Sequence, residues 1–156
     1  DFNLAIKLNP DSGSNFIKRG MCYYAQGKFD KAILDYTKAI SRDSMKAEGW
    51  YKRGLCYYSL EKHQQAFTDF GFAIHLDNNF ADAFLYRAYA CEGLANNKSA
   101  IYDYGQVIRL KPNDGLAYFK RGLLKQDSDK KTACKDFKQA AALGYDDAAE
   151  YAASCK

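Results

Sequence analysis

The sequence predicts an all-α protein made of repeated antiparallel helix pairs. Similar stretches recur 34 residues apart, as in FIKRGMCYY at 16–24 and WYKRGLCYY at 50–58. Within each stretch, apolar and small residues follow the i, i+3, i+4, i+7 spacing of one helix face. The 156-residue chain has only two prolines and is 47% hydrophobic, so we expect packed helices and not a disordered chain.

The repeat is defined by columns of residues with this spacing. Glycine occupies positions 20, 54 and 122 of one column, and Ala88 fills its remaining slot. The small and aromatic columns that follow are Ala32, Ala66, Ala100 and Ala133, then Tyr36, Phe70, Tyr104 and Phe137. These columns divide a single domain into the end of a partial repeat (1–12), repeats at 13–46, 47–80 and 81–114, a shortened repeat at 115–143 and a capping helix at 144–156.

Each repeat is predicted to contain two helices. In the first full repeat, Phe16, Gly20 and Tyr23 lie on one helical face, and Ala32 and Tyr36 lie on a second face. The segment AQGKFD between them supplies a glycine turn. A glycine inside a helix costs about 1 kcal/mol relative to alanine, so its recurrence indicates close packing where the two helices cross.

The two ends of the sequence differ. At the C-terminus, Gly144 is expected to end the last repeat helix, and GYDDAAEYAASCK to form a helix that covers the last apolar face. At the N-terminus, DFNLAIKLNPD matches only the end of a second helix. Because the sequence also lacks an initiator Met, we expect it to be a fragment of a longer chain, and one hypothesis is self-assembly through this open end.

The 34-residue period, the helix pair and the order aromatic, Gly, Tyr, Ala, aromatic, Ala resemble the tetratricopeptide repeat family over about residues 1–142. The resemblance implies a right-handed superhelical solenoid. It also implies a non-enzymatic scaffold whose concave groove, lined by the first helix of each repeat, binds a peptide or helix of a partner protein. Some family members hold acidic chaperone tails with a clamp of Lys, Asn and Arg. The matching slots here hold Ile17, Met21, Lys52, Asp82 and Tyr86, so chaperone-tail binding is not predicted.

A charged pair recurs in every repeat on the inward helix faces. A buried charge needs a partner, so we predict a ladder of ion pairs with one rung per repeat. Its members are Arg19 with Asp35, Arg53 with Asp69, Arg87 with Asp103, and Arg121 with Asp136. In this interpretation the pairs set the helix register. In the alternative interpretation, the arginines face a ligand.

The groove face is predicted from the positions beside that inward stripe. These groove residues are Ile17, Lys18, Met21, Tyr24, Tyr51, Lys52, Leu55, Tyr58, Leu85, Tyr86, Tyr89, Phe119, Lys120 and Leu123. The set is apolar and aromatic with interleaved lysines, which favours a protein partner with apolar and acidic residues. The alternative is that the tyrosines are partly buried between neighbouring repeats.

The five cysteines have no CxxC spacing, so no metal site is expected. Cys22, Cys56 and Cys91 are interpreted as small buried residues. Cys134 and Cys155 flank the turn at Gly144 and would lie opposite each other in a helix hairpin. These two cysteines either form a disulfide, which would indicate an exported or periplasmic protein, or remain reduced thiols in a cytosolic protein. The compartment stays open.

Other functions are weighed against binding to protein. Neither His63 nor His75 belongs to a catalytic arrangement, so we expect no enzyme, cofactor or small-molecule substrate. No run of 18 apolar residues exists, so membrane insertion is not expected. Lysines and tyrosines could contact RNA, as in related helical repeats. However, the net charge of +4 is low for a nucleic-acid binder, and this remains the alternative.

Overall fold

The computed structural model describes residues 2–155, and every regular element in this range is an α-helix. The helices are α1 (Phe2–Leu8), α2 (Gly13–Ala25), α3 (Phe29–Arg42), α4 (Ala47–Ser59), α5 (His63–Leu76), α6 (Ala81–Gly93), α7 (Asn97–Leu110), α8 (Gly115–Lys125), α9 (Lys130–Ala142) and α10 (Ala148–Ser154). The predicted all-α fold class is confirmed. None of these helices is long and apolar enough to cross a membrane.

The chain divides into two units between Tyr86 and Arg87. In unit 1, α2 packs against α3, α3 against α4, and α4 against α5. In unit 2, α7 packs against α8, α8 against α9, and α9 against α10. The two helices of a repeat thus pack against each other in α2 with α3, α4 with α5, and α8 with α9.

The turns inside the helix pairs share one backbone conformation. Gly27, Glu61 and Ala95 occupy the same repeat slot and have positive φ angles of 69°, 57° and 54°. This left-handed conformation ends the first helix so that the chain can reverse, and glycine adopts it without a Cβ clash. The predicted glycine turn thus keeps its geometry in later repeats that lack the glycine.

Aromatic side chains of the second helices pack directly against the glycines of the first helices. A Cβ atom built on Gly20 would lie 2.7 Å from Cε1 of Tyr36, and one built on Gly54 would lie 2.8 Å from Cε1 of Phe70. Tyr36 and Phe70 are fully buried. The glycines therefore make room for the aromatic column of the second helix.

The four arginines and the four aspartates meet pairwise, through two hydrogen bonds in each repeat. Arg53 Nε donates to Asp69 Oδ2 at 2.7 Å, and its Nη2 donates to Oδ1 at 2.9 Å. The same fork joins Arg19 to Asp35, Arg87 to Asp103, and Arg121 to Asp136. The aspartates are buried, and the hydrogen bond that Arg53 donates to Asp69 raises the pKa of Arg53. These contacts are internal to the helix pairs and join the first helix to the second.

In unit 1 the arginines also contact the preceding repeat. Arg19 Nη1 donates to Asn3 Oδ1 at 2.8 Å, and Arg53 Nη1 donates to Thr37 Oγ1 at 3.0 Å. Asn3 and Thr37 are 34 residues apart, so they fill one repeat slot. One arginine therefore ties three helices together, a role that sequence reasoning missed.

The last helix is covalently attached to the last repeat. A disulfide joins Cys134 of α9 to Cys155 directly after α10, with a Cα–Cα distance of 5.6 Å. Tyr151 of α10 packs against Phe119 and Phe137, with ring centroids 5.3 Å and 4.9 Å apart. These contacts let α10 cover the end of the unit 2 core.

The prediction that Cys22 is buried is wrong. Cys56 and Cys91 are buried as predicted, but Cys22 is exposed. Cys56 lies in a core cluster with Phe16 and Ala39 of the preceding repeat, and burial raises the pKa of its thiol to about 12. The preceding helix α1 has seven residues and leaves Cys22 exposed.

We predict that Gly54→Ala lowers the free energy of unfolding by about 1–3 kcal/mol, because the new methyl group overlaps the Phe70 ring. Gly105→Ala is the matched control, since its Cβ would lie 3.6 Å from the nearest side-chain atom, Arg121 Nη1. The free energy of unfolding of this control should rise by up to about 1 kcal/mol, because alanine has a higher helix propensity than glycine. Urea unfolding of both variants measures the difference, and equal effects would contradict the packing role of Gly54.

We predict that Asp69→Ala destabilises the fold by about 3–5 kcal/mol, because it leaves the Arg53 guanidinium without its carboxylate. The control is Lys46→Ala, which breaks the exposed 3.1 Å pair with Asp43. Its cost should stay below about 1 kcal/mol. Chemical unfolding monitored by circular dichroism compares the two, and a similar small cost for both would contradict the structural role of the buried pair.

We predict that Cys134→Ser combined with Cys155→Ser costs about 3 kcal/mol of stability, since the disulfide closes a chain segment with a sequence separation of 21. Amide hydrogen exchange in α10 should accelerate more than exchange in α8. Cys22→Ser, an exposed thiol substitution, should change neither quantity. Unchanged protection of α10 in the double variant would show that the aromatic contacts alone hold this helix.

Candidate functional site

Three of the predicted groove tyrosines cluster in unit 1. Tyr51 and Tyr58 come from α4 and Tyr86 from α6, and we call these three residues the tyrosine patch. The ring centroid of Tyr86 lies 6.1 Å from that of Tyr51 and 6.0 Å from that of Tyr58. Phe80 packs against Tyr51 at 4.6 Å. The repeat spacing brings these rings together, because Tyr51 and Tyr58 are seven residues apart on one helix face.

The tyrosine patch is neither fully exposed nor fully buried. All three rings are half-buried in the structure. Burial raises the pKa of Tyr51, and the negative charge of Asp82 adds to this shift, so its hydroxyl stays protonated. These rings therefore pack against one another across neighbouring repeats, while part of each residue remains exposed.

Tyr24 occupies the repeat position of Tyr58, one repeat earlier, and it is also half-buried. Its hydroxyl lies 3.5 Å from Ser59 Oγ, and its ring packs edge-on against Phe29 at 5.3 Å. Leu55 and Leu85 are also half-buried, and Met21 is 44% exposed. These side chains give the predicted groove face of unit 1 an apolar character.

Two lysines supply positive charge on this face. Lys18 is exposed and Lys52 is half-buried, and within residues 2–155 neither forms an ion pair. Lys18 borders a pocket of about 710 Å³ together with Ile17 and Met21. Ile17 itself is 9% exposed and belongs to the core cluster of unit 1, so it contributes mainly to packing.

The groove residues of unit 2 are engaged with one another. Lys120 Nζ donates to Glu92 Oε2 at 3.3 Å, and the Tyr104 hydroxyl donates to Glu92 Oε1. The Lys120 ammonium also lies 5.8 Å from the centroid of the Tyr89 ring. Lys120 is therefore neutralised within unit 2, a pairing that the repeat columns did not predict.

Phe119 and Leu123 complete the predicted set. Phe119 is 8% exposed and packs against Tyr145, with ring centroids 5.1 Å apart, so the structure places it in the core. Leu123 is half-buried beside the same cluster. Tyr145 and Tyr151, which follow the last repeat, pack against Phe119, an effect that the repeat pattern alone cannot show.

The described part of the chain holds no group of three His, Cys, Asp or Glu side chains that could bind a metal ion. The predicted groove residues supply aromatic rings, aliphatic side chains and ammonium groups. Such groups suit the burial of apolar side chains and the pairing of carboxylates.

The TPR repeat family model matches residues 20–61. No match was found among curated proteins. The crystal structure of MamA is 26% identical and superposes with a TM-score of 0.87, over 94% of this chain and 86% of that one.

Two further solved structures are similar. The first TPR domain of Spaghetti (RPAP3), bound to the HSP90 peptide SRMEEVD, is 29% identical with a TM-score of 0.71, over 74% of this chain and 91% of that one. YrrB, a TPR protein, is 23% identical with a TM-score of 0.86, over 94% of this chain and 77% of that one. The 34-residue columns, the helix pairs and these superpositions together show that the chain has the helical-repeat fold of TPR proteins, and residues 20–61 match the TPR repeat family itself.

Proposed function

We propose that this protein is a non-enzymatic interaction module that binds a peptide or helix of a partner protein on its groove face. One observation carries the proposal: the tyrosine patch presents three half-buried rings, two of them on the helix that also carries Lys52, and Lys52 forms no ion pair with any residue between 2 and 155. Partly exposed tyrosines gain contact area at low entropic cost when a partner covers them. The peptide bound to the related RPAP3 domain supports this use of the fold.

The partner segment should combine apolar anchors with acidic side chains. The rings of Tyr51, Tyr58 and Tyr86 match apolar anchors, and the ammonium groups of Lys18 and Lys52 match carboxylates. The negative charge near Tyr51 comes from Asp82, and it disfavours carboxylates at that end of the patch. For this reason we do not propose the acidic chaperone tails themselves as ligands.

We predict that a displayed peptide library panned against the purified protein enriches sequences with aromatic or aliphatic residues and Asp or Glu. Tyr58→Ala combined with Tyr86→Ala should weaken the binding of the enriched peptides about tenfold or more, because tyrosine is enriched among the interface residues whose truncation costs most affinity. Tyr102→Ala is the control, because Tyr102 is 60% exposed on α7 and outside the predicted groove set. Isothermal titration calorimetry measures each affinity.

Equal affinities in the wild type and the double tyrosine variant would contradict the groove face as the site. The nucleic-acid alternative is tested with Lys18→Glu combined with Lys52→Glu. Tight, salt-dependent retention of single-stranded RNA that this variant abolishes, without any enriched peptide, would replace the proposal. Self-assembly is tested by light scattering, where a mass that rises with concentration would support it.

A further inference from the structure

Helix α9 carries a cluster of lysines that do not belong to the predicted groove residues. Four lysines, Lys130, Lys131, Lys135 and Lys138, line a pocket of about 860 Å³ beside α10. All four are exposed. Among the residues that line this pocket, Asp127 is the single acidic one.

Nearby carboxylates are committed to other contacts. Asp136 of α9 is buried and forms the ion pair with Arg121. Asp129 caps α9 by accepting a hydrogen bond from the Thr132 amide at 3.1 Å, and it lies 3.8 Å from Lys125 Nζ. Across residues 2–155 no carboxylate lies within ion-pair distance of the four pocket lysines. Their positive charge is therefore available to a ligand.

The pocket between these lysines is apolar and held in place. Phe137 is 4% exposed, and Tyr151 beside it is 38% exposed, with ring centroids 4.9 Å apart. The Cys134–Cys155 disulfide also lines the pocket and fixes the end of α10 against α9. Helix α10 has only seven residues, too few to be stable alone, so this wall depends on the disulfide and the aromatic contacts.

We propose that this pocket is a second binding site, which docks an acidic segment of a partner protein by one aliphatic side chain flanked by Asp or Glu residues. The lysines provide charge complementarity for the flanking carboxylates, and the apolar floor receives the aliphatic group. A single-stranded nucleic acid would need free aromatic faces for stacking. Tyr151 instead packs against both Phe119 and Phe137, which favours the protein segment.

The test uses a fluorescein-labelled peptide with one leucine flanked on both sides by glutamates, measured by fluorescence anisotropy at low ionic strength. The wild type should bind it, and added salt should weaken the binding. Lys131→Glu combined with Lys138→Glu should lower the affinity about tenfold or more, because rim charges turn from attraction to repulsion. Replacing the leucine by alanine should also weaken binding.

The matched control is Lys31→Glu combined with Lys38→Glu on α3. These exposed lysines have the same seven-residue spacing, and the substitutions change the net charge equally. The control should stay within about twofold of the wild type, because it leaves the pocket charges unchanged. Equal losses in both double variants would overturn the proposal and indicate a non-specific charge effect.

Two further outcomes separate this site from other sites and ligands. Lys18→Glu combined with Lys52→Glu removes charge from the groove face and should leave the peptide affinity unchanged. Loss of binding in that variant alone would place the peptide on the groove face and overturn the second site. Tighter binding of a single-stranded oligonucleotide of equal charge, lost in the Lys131 and Lys138 variant, would overturn the choice of a protein segment.

Discussion

The structure depends on one repeated interaction, the buried pair of an arginine on the first helix and an aspartate on the second. A carboxylate as buried as Asp103 is costly unless a cation and hydrogen bonds compensate it. The planar guanidinium of Arg87 satisfies both oxygens at once. Because this fork permits few relative positions of the two helices, it fixes their register. That register in turn decides which neighbouring side chains face outward.

The pair also explains the rest of the Lys-Arg-Gly triplet. In the second repeat, Arg53 is held by Asp69, and Gly54 receives the ring of Phe70. Lys52 is one residue before the arginine and is therefore directed away from the pair. Two of the three residues thus serve packing and register, and the lysine takes part in neither. The three residues of this triplet look like one basic motif, but each has a different physical role.

The sequence alone predicts features that depend on spacing within a repeat, and it fails where a neighbouring element decides. The helix pairs follow from the periodicity, and the structure places each arginine beside the aspartate that this spacing predicts. The exposure of Cys22, by contrast, depends on how much of α2 the short α1 covers. The ion pair of Lys120 with Glu92 joins α6 to α8, and the columns of repeated residues do not predict it. Such contacts depend on individual side chains, which vary from repeat to repeat.

The distribution of charge gives the two proposed surfaces different physical properties. In unit 2, Glu92 neutralises Lys120 on the groove face, while the lysines of α9 stay unpaired within residues 2–155. Affinity at the α9 pocket should therefore rest largely on long-range attraction, which accelerates encounter and falls with salt. Affinity at the tyrosine patch should rest on apolar burial, which salt screens little. Ionic strength consequently distinguishes the two sites even when one partner carries both kinds of segment.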